Sequence, residues 1–297
     1  MLHKRLKQPD EDGMMYHYCS GQTFHSVIAN RTLRFSDINL LNDAEEGRWG
    51  YQVFLEAANR LLTREDIPAS VPVIPVEFID KIDEVWFSSS FKISSFLSCF
   101  SKDGDSLSQW RAYADDGRGF SIGFSLKELR RLPIQILEVL YDPKEQLEEM
   151  MIAVGGMFLE MEGESKQDDD EWFRNQAMLL KSSAVAFKNP AWRDERELRC
   201  QHVVLVNVDG PVWTIEAAGG ESEGDPVPPL DIGFQVRDRG TIVPYFDMPF
   251  EVSDDHTPIV EIWLGPKNPN APGNVRFLLG NSGYGEIPLK FAGGAYR

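Results

Sequence analysis

Residues 14–36 read MMYHYCSGQTFHSVIANRTLRFS. Met14 to Ser20 is aromatic and strand-compatible, and Gly21 ends the run, which predicts a first strand. Thr23 to Asn30 sets Phe24, Val27 and Ile28 at helical spacing with Asn30 as a stop, and Thr32 to Ser36 resumes as a short strand. The chain therefore opens as strand, helix, strand.

The same two periods continue downstream. Leu40 to Glu46, with Asn42 and Asp43, reads as a turn. Gly50 to Leu62 and Val76 to Phe87 carry apolar residues on one helical face. Ile93 to Ser101, Phe120 to Phe124, Ile134 to Tyr141 and Glu195 to Val208 read as strands, and Pro143 ends the third of these. Ser106 to Ala114, Lys144 to Leu159 and Glu171 to Phe187 read as helices, while Ile259 to Leu264 and Arg276 to Leu279 belong to a closing sheet-and-helix portion. This order predicts an α+β fold, a mixed or split β-sheet flanked by helices. No linker divides the chain into self-contained halves, so residues 14–297 are expected to form one domain behind a flexible N-terminus, residues 1–13. Two insertions or loops are expected, an acidic one at 160–171 and a Gly/Pro/acid-rich one at 216–229.

With 297 residues, 42% hydrophobic and 26% charged, the chain can bury a substantial core. Lys plus Arg number 30 against 47 Asp plus Glu, a net charge of −17 that disfavours nonspecific nucleic-acid binding. Cys19, Cys99 and Cys200 lie far apart and give neither a disulfide framework nor a thiolate pair for zinc, so a reducing cytoplasm is expected. No apolar run long enough to span a bilayer occurs, and no membrane association is expected. The five histidines, His3, His17, His25, His202 and His256, show no metal-ligand spacing, and no metal is expected. Phosphate-loop, dinucleotide-fingerprint and nucleophile-elbow motifs are also missing from the sequence.

Three groups of residues remain as candidates for chemistry. On the first strand, Tyr16, Tyr18 and Ser20 share one face and His17 and Cys19 the other, so His17 offers a ring nitrogen to a polar ligand or is a satisfied, partly buried side chain. Trp110 and Tyr113, three apart on a helix, form either a cleft wall or a packing seam. In an extended Glu195 to Cys200, Glu195, Glu197 and Arg199 fall on one face. That row is a solvated ion-paired ladder, or, in a cleft, a carboxylate that holds a ribose hydroxyl or stabilises a developing cation.

Six motifs in order resemble the bacterial domain-of-unknown-function 2971 family: Tyr16-His17-Tyr18; Leu33-Arg34-Phe35-Ser36 with Leu41-Asn42-Asp43 and Glu46; Ser98-Cys99-Phe100-Ser101; Trp110 and Tyr113 with Gly119-Phe120; Trp192 with Glu195-Arg196-Glu197-Leu198-Arg199; and Leu264-Gly265-Pro266-Lys267. The resemblance covers nearly the whole chain. The layout also resembles, more distantly, the ADP-ribosyltransferase superfamily, although the middle strand carries Ser98 and Ser101 rather than a Ser-Thr-Ser motif.

That second resemblance implies a protein that uses NAD as substrate and cleaves the nicotinamide–ribose bond, as an ADP-ribosyltransferase or an NAD glycohydrolase. It implies further a bacterial stress or phage-defence effector, or toxin. It assigns His17 to the adenosine ribose, Tyr113 to the nicotinamide and Glu197 to the nicotinamide ribose, with Glu195 as the preceding acid. Tyr18, Ser36, Ser101, Trp110 and Arg199 complete the expected NAD-binding set. Arg34, Arg111, Arg118 and Arg199 are candidates for a pyrophosphate, because guanidinium groups suit phosphate oxygens. The acceptor is left open among protein, nucleic acid and water. The competing expectations are a noncatalytic nucleotide- or protein-binding module, and a purely structural role in which the aromatics fill a core.

Overall fold

The computed structural model describes residues 9, 12–38, 46–64, 67, 71–89, 92–163, 166, 169–222, 225–237, 240–251 and 257–293. His3, His256, most of the 40–46 turn and most of the 1–13 segment lie outside the described residues.

Strand β1, Met14–Cys19, leads into helix α1, Gly21–Asn30, and strand β2, Thr32–Asp37. Ser20 caps α1 by accepting from the Thr23 N–H at 3.2 Å, and Arg31, in the left-handed region at φ 54°, closes it with an N–H to the Val27 carbonyl. Phe24, Val27 and Ile28 seat the helix on the sheet. Strand β3, Ile93–Ser101, is the axis of the fold. Along one edge it pairs with β6, Glu197–Asp209, from Ile93↔Leu205 to Ser101↔Glu197. The other edge is shared: β2 pairs at Ser36↔Leu97 and Asp37↔Phe96, and β1 at Tyr16↔Ser101. Between those contacts, at residues 98–100, no pairing is seen on that edge among the described residues, which leaves a gap in the sheet between β1 and β2.

Strand β4, Phe120–Ser125, extends the sheet beyond β1, and β5, Gln135–Glu138, and β7, Val212–Glu216, flank β6. Strands β8, Gly220–Ser222, and β9, Asp225–Val227, form a separate hairpin inside the 216–229 segment. On the far side of β2 lie β11, Ile242–Pro249, and β10, Gly233–Val236, and beyond β4 lie β12, Ile259–Leu264, and β13, Leu289–Phe291. The β12–β13 pair is parallel and the other pairings are antiparallel, so the large open sheet is mixed.

Helix α1 and α8, Pro272–Asn281, pack with one sheet face into the main core, around Phe35, Phe96, Phe124, Leu198 and Phe246. A second core joins α2, Glu46–Thr63, α3, Val76–Ser88, α6, Pro143–Gly163, and α7, Asp170–Ser183, through Phe54, Ile82, Met150 and Phe173. Helices α4, Leu107–Tyr113, and α5, Leu126–Leu129, are short. Among the described residues no helix is long and apolar enough to cross a membrane.

The architecture is α+β with a mixed open sheet, and three local readings change. Strand β6 begins at Glu197 and not at Glu195, because a 3₁₀ turn, Pro190–Glu195, and Arg196 at φ 47° precede it. The period-two row therefore keeps Glu197 and Arg199 together, while Glu195 arrives from the turn. Helix α6 runs four residues past Leu159 to Gly163, and α7 begins at Asp170, which shortens the acidic loop from both sides. The 216–229 insertion carries the β8–β9 hairpin and is not all loop.

Candidate functional site

A cleft of about 630 Å³ opens at the gap between β1 and β2. The pairing registers explain how its lining is assembled. Partners across antiparallel strands point to the same face, so Tyr16 on β1, Arg34 and Ser36 on β2, Cys99 on β3, Glu197 on β6 and Asp247 on β11 all face away from the main core. Lys188 and the 3₁₀ turn bring Trp192 and Glu195 over that face, and α4 contributes Gln109 and Tyr113. His17 belongs to the opposite face and reaches the cleft at the gap.

The placement of α4 follows from the chain that leaves it. Asp115, Asp116 and Gly117 all have positive φ and reverse the direction. Gly119 then passes so close to β1 that a Cβ there would lie 2.1 Å from the Cys19 carbonyl oxygen. Trp110 is thereby pressed against Tyr18, with ring centroids 4.8 Å apart, and its Nε1 donates to Asp105 at 2.8 Å.

The acidic end of the cleft is a closed ion network. Lys188 Nζ donates to Glu195 Oε2 at 2.6 Å and to Glu197 Oε2 at 2.9 Å. Arg199 donates to Glu197 through Nε at 2.9 Å and Nη2 at 3.0 Å, and through Nη1 to the Val185 carbonyl. Tyr113 OH donates to Glu195 Oε1 at 2.5 Å, and Ser101 Oγ to the Glu195 carbonyl at 2.8 Å. Burial pushes the Glu197 pKa up, but Arg199 and Lys188 outweigh it and hold the carboxyl down at about 2. Glu197 is thus ionised at neutral pH. Burial, followed by the bond to Glu195, drives the Tyr113 phenol well above its ordinary range, so it stays protonated and can only donate to that carboxylate.

At the gap, His17 Nδ1 lies 3.2 Å from the Cys99 carbonyl oxygen, and the ring packs on Phe100 with centroids 5.4 Å apart. Burial lowers the His17 pKa from its ordinary value, against a smaller rise from the Cys99 bond. A carbonyl only accepts, so the proton of the neutral ring sits on Nδ1 and leaves Nε2 as an acceptor.

Of the residues singled out from sequence, the cleft gathers His17, Tyr18, Ser36, Tyr113, Glu195 and Glu197. Tyr18 is committed at its hydroxyl, which donates to the Asp103 carbonyl at 2.7 Å and accepts from the Ser106 N–H at 2.8 Å. Ser101, Trp110 and Arg199 lie behind the lining at 1%, 1% and 0% exposure. They are a brace for Glu195, a core side chain and the fixed partner of Glu197. Of the four arginines considered for a phosphate, Arg34 lines the cleft. Arg111 and Arg118 are exposed outside its lining, where Arg118 pairs with Asp115. Lys188, Gln235, Arg237 and Asp247 also line it and were not singled out. The runs on either side of Gly240 carry a weak strand signal, but nothing local in them marks the last three as neighbours of β2.

Residues 109–200 match the family model of DUF2971, a protein family of unknown function. The matched segment includes Tyr113, Lys188, Glu195, Glu197 and Arg199, the network end of the cleft, and excludes the motifs around His17, Arg34 and Leu264. No curated protein and no solved structure matches the chain. Among the described residues, no group of three or more His, Cys, Asp or Glu side chains could hold a metal ion.

Proposed function

We propose that the cleft binds NAD and that the protein cleaves the nicotinamide–ribose bond, in the manner of an ADP-ribosyltransferase or NAD glycohydrolase. One observation carries the reading: His17, Tyr113 and Glu197, distant in sequence, line a single cleft at a gap in the sheet. As nicotinamide departs with the bonding electron pair, positive charge builds on the ribose ring, and an ionised carboxylate beside it lowers that barrier. Glu197 supplies such a carboxylate at neutral pH. The Nε2 of His17 accepts from a ribose hydroxyl, and the Tyr113 ring offers a face for the nicotinamide. The acceptor, a water or a hydroxyl of a macromolecule, bonds to the ribose carbon and loses its proton. A bacterial stress or phage-defence role belongs to this reading.

The tightness of the network favours a second reading, a noncatalytic nucleotide-binding module. Glu197 is only 4% exposed and both its oxygens are engaged. Incubation with NAD labelled in the nicotinamide separates the two. The enzyme reading expects release that falls at least 100-fold in Glu197→Gln. Equal release in wild type and variant refutes the role given to Glu197. NAD binding without release, across water and protein acceptors, leaves the binding module.

A further inference from the structure

Gln109 is a buried amide that the fold does not use. It is 6% exposed and lines the cleft, and among the described residues its side chain makes no hydrogen bond. The network side chains beside it, in contrast, are satisfied within the protein. A carboxamide carries two N–H donors and a carbonyl acceptor, and withdrawing them from water without partners costs free energy that matching ligand groups recover. Ordering a long, flexible side chain adds an entropic cost.

Helix α4 aims this amide. Gln109 and Tyr113 are four apart, one turn or about 6 Å along the axis, and both line the cleft, while Trp110 and Ala114 are sealed in a core with Tyr18. Helical side chains lean toward the N-terminus, so the Tyr113 ring inclines over the turn that carries Gln109. The far end of that ring is fixed, since its hydroxyl donates to Glu195 Oε1 at 2.5 Å, and Lys188 ties Glu195 to Glu197. A flat ring laid on Tyr113 therefore has the carboxylate network at one end and an unpaired amide at the other.

We propose that Gln109 is the specificity-determining residue of the cleft and reads the primary carboxamide of a pyridine ring seated on Tyr113. Two carboxamides satisfy each other completely: Gln109 Nε2 donates to the ligand carbonyl, and the ligand NH₂ donates to Gln109 Oε1. A ketone in the same place accepts the first bond and leaves Oε1 without a donor, and a site built around such a bond rejects the analogue that lacks it. An adenine edge offers a glutamine a similar donor and acceptor pair, so the test includes a ligand with adenine and no pyridine. The inference rests on the proposal that the cleft takes NAD, adds which group on the ring is recognised, and does not require bond cleavage.

The test is calorimetric titration of NAD, its 3-acetylpyridine analogue and ADP-ribose into wild type, Gln109→Met and Gln109→Glu. Methionine keeps the length and removes every hydrogen-bonding group, whereas glutamate keeps an acceptor for the ligand NH₂ and serves if the methionine variant does not fold. Wild type should bind NAD about ten-fold more tightly than the acetyl analogue, which has a methyl group in place of NH₂. Gln109→Met should lose that preference while its ADP-ribose affinity stays within about two-fold of wild type, and Gln109→Glu should keep the preference or widen it. If a dinucleotide is cleaved during the titration, the change in the ratio of kcat/KM values between variant and wild type gives the same readout. Equal binding of NAD and the analogue by wild type overturns the proposal, as does an undiminished preference in Gln109→Met or a lost one in Gln109→Glu. An equal loss of NAD and ADP-ribose affinity in Gln109→Met assigns the amide to adenine and overturns it too. Failure of NAD to bind wild type refutes the NAD reading and this inference with it. A Gln109-dependent preference without nicotinamide release refutes only the cleavage, and release with no Gln109 dependence refutes only the role given to Gln109.

Discussion

Arg199 grips Glu197 at both carboxylate oxygens, Nε to Oε1 at 2.9 Å and Nη2 to Oε2 at 3.0 Å, with the guanidinium fully buried. The two side chains share a sheet face because they are two apart on β6, and Lys188 adds a third contact from above. Burying one charge without its partner costs far more than the intact pair contributes. Arg199→Ala should therefore lose about 3–5 kcal/mol of folding stability, read from urea unfolding. A loss well under 1 kcal/mol would show that Arg199 is not structural, and its earlier assignment to NAD binding would regain its footing.

The depressed pKa of Glu197 makes part of the stability pH-dependent. Its folded value of about 2 lies below the ordinary 4.5, so the contribution is full above about pH 4.5 and disappears as pH falls toward 2. The difference corresponds to about 3 kcal/mol. Thermal melts of wild type and Glu197→Gln between pH 7 and pH 2 should converge as the pH falls, because acidification removes from wild type what the variant already lacks. A constant gap between the two curves across that range would exclude this carboxyl as the source.

Trp110 and Tyr113 lie three apart on one short helix yet play different parts. Trp110 is sealed against Tyr18 and Asp105, whereas the Tyr113 ring lines the cleft. Trp110→Ala should cost about 3–5 kcal/mol, and Trp110→Phe should keep NAD affinity within about two-fold if the fold is retained. Tyr113→Ala should weaken NAD binding about ten-fold and Tyr113→Phe much less, because the ring is kept and Lys188 still holds Glu195. Fluorescence titration with NAD measures all four. Equal weakening by Tyr113→Phe and Tyr113→Ala would place the contribution in the hydroxyl and not in the ring.

What the sequence made legible follows the reach of its periodicities. Alternation on β1 sorted Tyr16 and Tyr18 from His17 and Cys19, and helical spacing placed Phe24, Val27 and Ile28 against the core. Alternation across 195–199 failed at Glu195, since a left-handed Arg196 interrupts an extended reading and a propensity argument does not anticipate such a residue outside Gly, Asn or Asp. Residues 230–258 received no element. Pro244 and Pro249 weaken the strand signal of β11, whose pairing with β2 is a long-range matter that no local pattern records. The arginine end of the cleft was hidden for that reason. Lys188, just after Phe187, gave no periodic signal, and its importance arises only when Glu195 and Glu197 fold over it.

His17 provides the most direct check on the geometry at the gap in the sheet. Its Nδ1 faces the Cys99 carbonyl at 3.2 Å, and burial disfavours the charged ring. Protonation would place a second N–H where Nε2 should accept from a ligand hydroxyl, and it would do so at a cost in desolvation. The ring should therefore titrate below its ordinary 6.5, and ligand affinity should hold steady from pH 8 to pH 7 and fall once the pH passes below the His17 transition. Imidazole proton or nitrogen NMR, with His17→Asn to assign the resonance, gives both the midpoint and the tautomer. A midpoint at or above 6.5, or a neutral ring carrying its proton on Nε2, would remove the acceptor from the cleft and with it the part assigned to His17. His17→Asn should meanwhile weaken NAD binding about ten-fold, since the loss of one buried hydrogen bond to a ligand hydroxyl is worth roughly 1–1.5 kcal/mol.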